Sequence, residues 1–229
     1  MKSDQKSLPD WVVSWLSPAR AAPYVRAAGA EGALALYNWN CQVSMALFEL
    51  IGWFEVGWCN IVDQAISNRW QSQRHWLTDP TFPLHPTTRE KVNQAREQIR
   101  KGGVANPTPG HMIAELPLGF WRFTSKGYRI TVWRPYLSFA FPYAPRRPNP
   151  SDIDRTLPAI IQTRNRIAHH EPVFGRAHAL RQLVTDIWLL GSFVNPEAAR
   201  WWKKNNSALR MLNTQPSHLA HPRADSGRT

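Results

Sequence analysis

The chain has 229 residues, is 43% hydrophobic and carries a formal net charge of +12, with a pI near 10.4. That length suits one large domain or one domain with an insertion, and the apolar content can build a core without covalent staples. Two cysteines, Cys41 and Cys59, exclude a disulfide framework. On one helix they would lie about 27 Å apart by rise, so reduced thiols of a cytoplasmic protein are expected.

In chain order, residues 1–16 read as a leader without an apolar run of signal-peptide length. Ser17-Pro18 is a helix-start signal, a hydroxyl cap followed by proline at the first helical position. A short helix is expected to reach Gly29, disturbed at Pro23. Residues 31–70 are helical in pattern and apolar on most sides, which predicts a central helix, with Asn38 or Asn40 marking a break or a new cap. Its most apolar run, 45–62, contains Glu49 and Glu55, so a buried helix is expected rather than a membrane span. Residues 78–86 are turn-rich. Thr87 or Thr88 then caps a polar helix over about 88–101, ended by Gly102-Gly103; its Arg89, Lys91, Arg96, Arg100 and Lys101 read as facing solvent or RNA.

Residues 103–150 are rich in proline and glycine and end on the linker-like FPYAPRRPNP. Ser151 opens a capping-box-like SDID, and Pro158 places the start of the helix proper near 156. That helix runs on to stop before Pro172. An apolar helix follows over 176–194, and a last one runs from Pro196 to about Leu209. The fold class is therefore all-α. The expected organisation is a leader (1–16), a first helical half (17–84), a basic, loop-rich insertion (85–150), a second helical half (151–210) and a disordered tail (211–229).

Charge is unevenly placed. Residues 85–150 hold 11 basic and 3 acidic residues, and 200–229 hold 6 and 1, whereas 11–84 hold 4 and 5 and 151–199 hold 5 and 5. This pattern suits a middle segment and tail that collect a polyanion around a neutral bundle. Between 120 and 136 aromatics alternate with cations: Phe120, Trp121, Arg122, Phe123, Lys126, Tyr128, Arg129, Trp133, Arg134, Tyr136. Such interleaving fits stacking on unpaired bases with backbone neutralisation. It fits equally a small aromatic core with cations turned outward, and that reading is preferred for Trp121 and Trp133. Arg122, Lys126, Arg129, Arg134, Arg146 and Arg147, with Arg166 further on, are the candidate RNA-binding cations.

The stretch Arg164-Asn165-Arg166-Ile167-Ala168-His169-His170-Glu171-Pro172 carries the chemistry. Arginine stays charged at any working pH and its planar fork suits phosphate oxygens. Histidine ordinarily titrates near pH 6.5 and can give or take a proton. Arg69 with His75 has a compatible spacing by chance. His170-Glu171 lacks a third ligand at helical spacing, so no metal and no cofactor are expected.

RNRIAHHEPVF resembles the signature of the bacterial abortive-infection (Abi) proteins of the AbiD/AbiF type, within the HEPN superfamily, whose ribonuclease motif is R-x(4–6)-H. Leu36-Tyr37-Asn38-Trp39-Asn40 is similar to the family's LYxWN segment, and Glu55, Val56 and Asn60 to its EVxxRN. Leu116 to Trp121 (LPLGFW) resembles LxFGFW, and Asn195 to Trp201 (NPEAARW) resembles SPExAxxW. Cys59 departs from the pattern, standing where the family often has arginine.

The resemblance implies a HEPN-type helical bundle and a metal-independent endoribonuclease serving phage defence or toxin-like growth arrest. Arg164, Asn165 and His169 are then the catalytic group, supported by His170, Glu171, Glu55 and Asn60. Glu55 is either a solvated stripe residue or a buried acid orienting the motif. Asn165 and His169 share a helix face, but Arg164 and His169 diverge by about 140°. Two copies about a twofold axis bring the pairs together, and the resemblance implies this homodimer. The alternative is a non-cleaving protein that holds a structured small RNA; in either case RNA is the partner and a membrane is not.

Overall fold

The computed structural model describes residues 8–216, which are helical with no strand among them, so the all-α class holds. The expected disordered stretch beyond 216 lies outside the described residues. Helix α1 (Asp10–Leu16) precedes α2 (Pro18–Ser67), so the expected leader is partly helical, and α1 buries Val12. Ser17, with φ of 67°, makes the turn; its carbonyl accepts the Ala21 N–H at 3.1 Å and its hydroxyl caps Arg20 N–H at a long 3.5 Å. Pro23 lies inside α2 without ending it. The break comes instead at Gly29, whose φ of 69° and ψ of 172° suit a residue without Cβ. Beyond Gly29 the helix runs through Asn38 and Asn40 unbroken, which corrects the expected cap there.

By length and composition α2 is able to cross a membrane, and 44% of its most apolar window is buried within the protein. Leu36, Val43, Leu47, Leu50, Ile51 and Ile66 form its inward face, while Met45, Phe48 and Val56 are exposed.

The chain divides into two compact units. The first takes the chain up to Leu50, Thr163–Val184, and the residues from Asn206; the second takes Ile51–Gln162 and Thr185–Asn205. The expected boundaries at 85 and 150 both lie inside the second unit. The basic segment folds together with residues 51–84, because aromatic side chains from both stretches share one core.

That core belongs to the second unit. Trp76 is fully buried, with ring centroids 5.0 Å from Phe82, 6.1 Å from Trp121 and 6.0 Å from Phe123. Phe123 meets Tyr128 at 5.1 Å. Three of its indoles keep their N–H groups bonded, as their polar edges favour. Trp58 donates to Trp121 O at 3.2 Å, Trp121 to Leu116 O at 3.3 Å and Trp76 to Asp63 Oδ1 at 2.8 Å. Phe120, Trp121, Phe123, Tyr128 and Trp133 are therefore interior, as the core reading preferred for Trp121 and Trp133 expects, and of the two readings of the segment the aromatic core holds for the other three rings as well. Asp79 collects the loop after α2: it accepts hydrogen bonds from Ser72, Thr81 and Trp70, which hold its carboxyl well below the usual range.

Helix α3 (Pro86–Lys101) ends at Gly102-Gly103 as expected. It is not wholly solvent-facing. Val92 and Ala95 are buried, and the Arg89 fork donates to Leu77 O at 3.0 Å and Phe82 O at 2.8 Å. Helix α4 (Pro109–Glu115) and four short turns of 3₁₀ or π type carry the chain to Phe139. Helix α5 (Pro150–Asp154) is capped at Asn149, whose N–H meets the Asp152 carboxylate at 2.8 Å, two residues earlier than the sequence placed it. Helices α6 (Leu157–Ala168), α7 (Ala177–Val194), α8 (Pro196–Asn205) and α9 (Ala208–Asn213) follow. Asn195 caps α8 by accepting the N–H groups of Glu197 and Ala198. Asn206 and Ser207 end the expected single last helix and start α9.

Gly191 of α7 is a close-approach position in the second unit. A Cβ there would run into the ring of Trp202, which also meets Gly57. Gly191→Ala is therefore expected to destabilise the protein by about 1–3 kcal/mol despite alanine's better helix propensity, measured by urea denaturation. Unchanged or raised stability would show that Trp202 can move aside.

Candidate functional site

The motif occupies the last turns of α6 and the turn after it, all within the first unit. The helix ends in a Schellman arrangement. His170 N–H donates to Ile167 O at 2.9 Å, and Glu171 N–H reaches back to Arg166 O at 2.8 Å. His170 sits at the position glycine normally takes and has φ of 57°. The side chains of Arg166 and Glu171, which this motif brings together, form an ion pair at 3.2 Å. Arg166 also donates to Pro172 O at 3.2 Å. Arg166, a candidate RNA-binding cation, is thus half-buried and engaged in closing the helix end.

The turn is held from below by α2. Asn40 is buried, and its Oδ1 accepts Val173 N–H at 2.8 Å and Phe174 N–H at 3.2 Å. Phe174 packs on Tyr24 at 5.1 Å, and Tyr24 on Tyr37 at 5.3 Å. The neighbouring Trp39 donates to Met211 O at 3.0 Å, tying α9 to the same face. Arg181 closes the end of α9 through Leu212 O at 2.9 Å and Asn213 Oδ1 at 3.1 Å. The segment around residues 36–40 is therefore the anchor of the motif. Sequence inspection placed a cap or break here because the partners of Asn40 lie 133 and 134 residues away.

On this scaffold Asn165, His169, His170 and Glu171 are exposed, and Arg164 is half-buried. Asn165 and His169 are one turn apart, with His169 N–H donating to Asn165 O at 2.9 Å. Among the described residues the side chains of Asn165 and His169 make no hydrogen bond or ion pair. Polar groups fixed by a rigid turn yet left facing solvent are available to a ligand. His170 and Glu171 also line a pocket of about 270 Å³ with Tyr37, Cys41, Met45 and Phe48. No group of three His, Cys, Asp or Glu side chains able to hold a metal ion occurs among the described residues.

Glu55 and Asn60 lie in the second unit. Glu55 is half-exposed rather than buried, and Asn60 is exposed. Cys59 is buried, and burial, reinforced by the charge of Glu55, pushes its thiol up to about 12, so this side chain is neutral. The chance pair Arg69 and His75 is otherwise engaged. His75 meets Asp63 at 3.0 Å, and Arg69 lies over the Phe139 ring.

The remaining predicted cations divide by partner. Arg122 is paired with Asp154 at 2.6 Å and Arg146 with Asp152 at 2.9 Å. Lys126, Arg129, Arg134 and Arg147 are exposed and have no carboxylate partner among the described residues.

Two substitutions probe this geometry. Asn40→Ala leaves two amides without their acceptor and is expected to lower stability by about 1–3 kcal/mol in urea denaturation; a loss under about 0.3 kcal/mol would show that water replaces the carboxamide. His170→Gly relieves a left-handed non-glycine residue and is expected to raise stability by up to about 1 kcal/mol, with part offset by the freer unfolded chain. Destabilisation would mean that the imidazole itself holds the turn.

Comparison of the chain with protein-family models, with curated proteins and with solved structures finds no match in any of the three.

Proposed function

We propose that the chain is a metal-independent endoribonuclease of the HEPN type, acting in phage defence or toxin-like growth arrest in the cytoplasm. The observation that carries this reading is the rigid presentation of Asn165 and His169, side by side and unpartnered, beside Arg164 at the end of α6.

In this reading the ribose 2′-hydroxyl of the substrate is the nucleophile. It attacks the adjacent phosphorus, and the 5′-oxygen of the next nucleotide leaves. His169 acts as general base or acid at these oxygens, a contribution of typically 10²–10⁴-fold. Arg164 stabilises the charge that grows on the non-bridging oxygens. Asn165 orients the imidazole or a phosphate oxygen. The products are a 2′,3′-cyclic phosphate and a 5′-hydroxyl. DNA lacks the nucleophile and is left uncut.

Arg164 and His169 point apart by about 140° on one helix, so a second copy about a twofold axis completes the site. Exposed Met45 and Phe48, which share a pocket with His170, support an apolar contact beside the motif. The unpaired arginines of the second unit favour the alternative, a protein that holds a structured small RNA without cutting it.

Purified protein with labelled RNA in EDTA separates the two. Cleavage is expected, and Arg164→Ala and His169→Ala are each expected to slow it at least about 100-fold with folding intact. Cleavage that persists in both variants would remove the motif from the chemistry, and salt-dependent binding without cleavage would establish the holding role.

A further inference from the structure

The second unit carries a groove of about 770 Å³ lined by Arg129, Arg134, Arg147, Phe139 and Trp133, with no carboxylate side chain on its walls. Phe139 is partly exposed, and two guanidinium carbons, those of Arg69 and Arg147, lie 4.2 Å from its ring centroid. Two guanidinium groups at that distance cannot share one face of a single ring, so they flank it. Each is held by the ring quadrupole with its N–H edges left to bond elsewhere. The nearby acids do not weaken the field. Asp152 is bound to Arg146 and Asp154 to Arg122.

We infer that this groove is a binding site for a short unpaired stretch of RNA, separate in sequence from the motif at the end of α6. Several arginines on a wall free of acid select a polyanion, and their planar forks match phosphate oxygens two at a time. The concave shape does not suit a flat lipid surface. A volume in the range of small-ligand pockets takes a few nucleotides of one strand rather than a whole duplex. Guanidinium planes fixed against Phe139 also offer bases a stacking surface, which is independent of base identity. Phe120, Trp121, Phe123, Tyr128 and Trp133 are interior, and the guanidinium groups packed on Phe139 take the stacking role. The inference rests on the RNA reading above and deepens it: substrate is gripped at one place and cut at another.

The test uses the full chain carrying His169→Ala to suppress cleavage, with fluorescence anisotropy of labelled oligo-uridylate, duplex RNA of equal length, and oligo-aspartate. Oligo-uridylate is expected to bind tightest. Adding Arg129→Glu and Arg134→Glu together is expected to weaken it about tenfold or more and to lower the log–log salt slope by about 1.4. Phe139→Ala is expected to weaken it less. Arg100→Glu with Lys101→Glu on α3, outside the groove, is expected to leave it unchanged. Affinity within about twofold after the groove reversal, with circular dichroism unchanged, overturns the inference, as does tighter binding of the duplex or the acidic peptide. If the wild-type chain cuts RNA while the reversal changes nothing, only the groove is refuted. If it neither cuts nor binds RNA, the ribonuclease reading falls with it.

Discussion

A single buried carboxamide governs the geometry of the motif. Asn40, deep on α2, spends its oxygen on two successive amides, Val173 and Phe174, just past the end of α6. A turn leaving a helix has backbone donors that must be satisfied, and inside a protein the alternative is an expensive orphan. By accepting both, Asn40 fixes where the chain goes after His170. The Schellman bonds and the Arg166–Glu171 pair then set the pitch of the turn itself. The exposed Asn165 and His169 thus owe their positions in part to a carboxamide that is itself buried.

This division of labour explains a motif dense in charge and polar groups. Within it, Arg166 and Glu171 close the helix end, while the side chains of Asn165 and His169 face outward and make no hydrogen bond or ion pair among the described residues. The left-handed His170 fits the same pattern. A non-glycine residue held at φ of 57° stores modest strain, and such residues persist where the surroundings over-determine them. The basic segment behaves likewise. Arg89, Arg122 and Arg146 are consumed by carbonyls or carboxylates, and a smaller set of guanidinium groups remains for a ligand.

The fold class and most helix ends were legible in the sequence because their causes are local. The Ser17-Pro18 start, the Gly102 stop and the Asn195-Pro196 start each depend on residues within a turn of one another. What could not be read were the pairings across distance. Asn40 looked like a helix breaker because its partners are far along the chain. Arg122 looked available because Asp154 is 32 residues on. The aromatic run fitted a stacking platform and a small core equally, because the sequence does not reveal that Trp76 and Phe82 converge on it. Three of the four boundaries between the units were illegible for the same reason: they fall within α2, α6 and α7, where no break in composition marks them.

The central claim is that the groups at the end of α6 act on a linkage whose own ribose supplies the nucleophile. It is tested most directly by an RNA that the protein cuts at one known position, remade with a single 2′-deoxyribose at that position. The account predicts that the protein still binds this RNA with unchanged affinity and no longer cuts it there. Cutting at the deoxy position at the original rate would contradict it, because the nucleophile would then have to come from elsewhere.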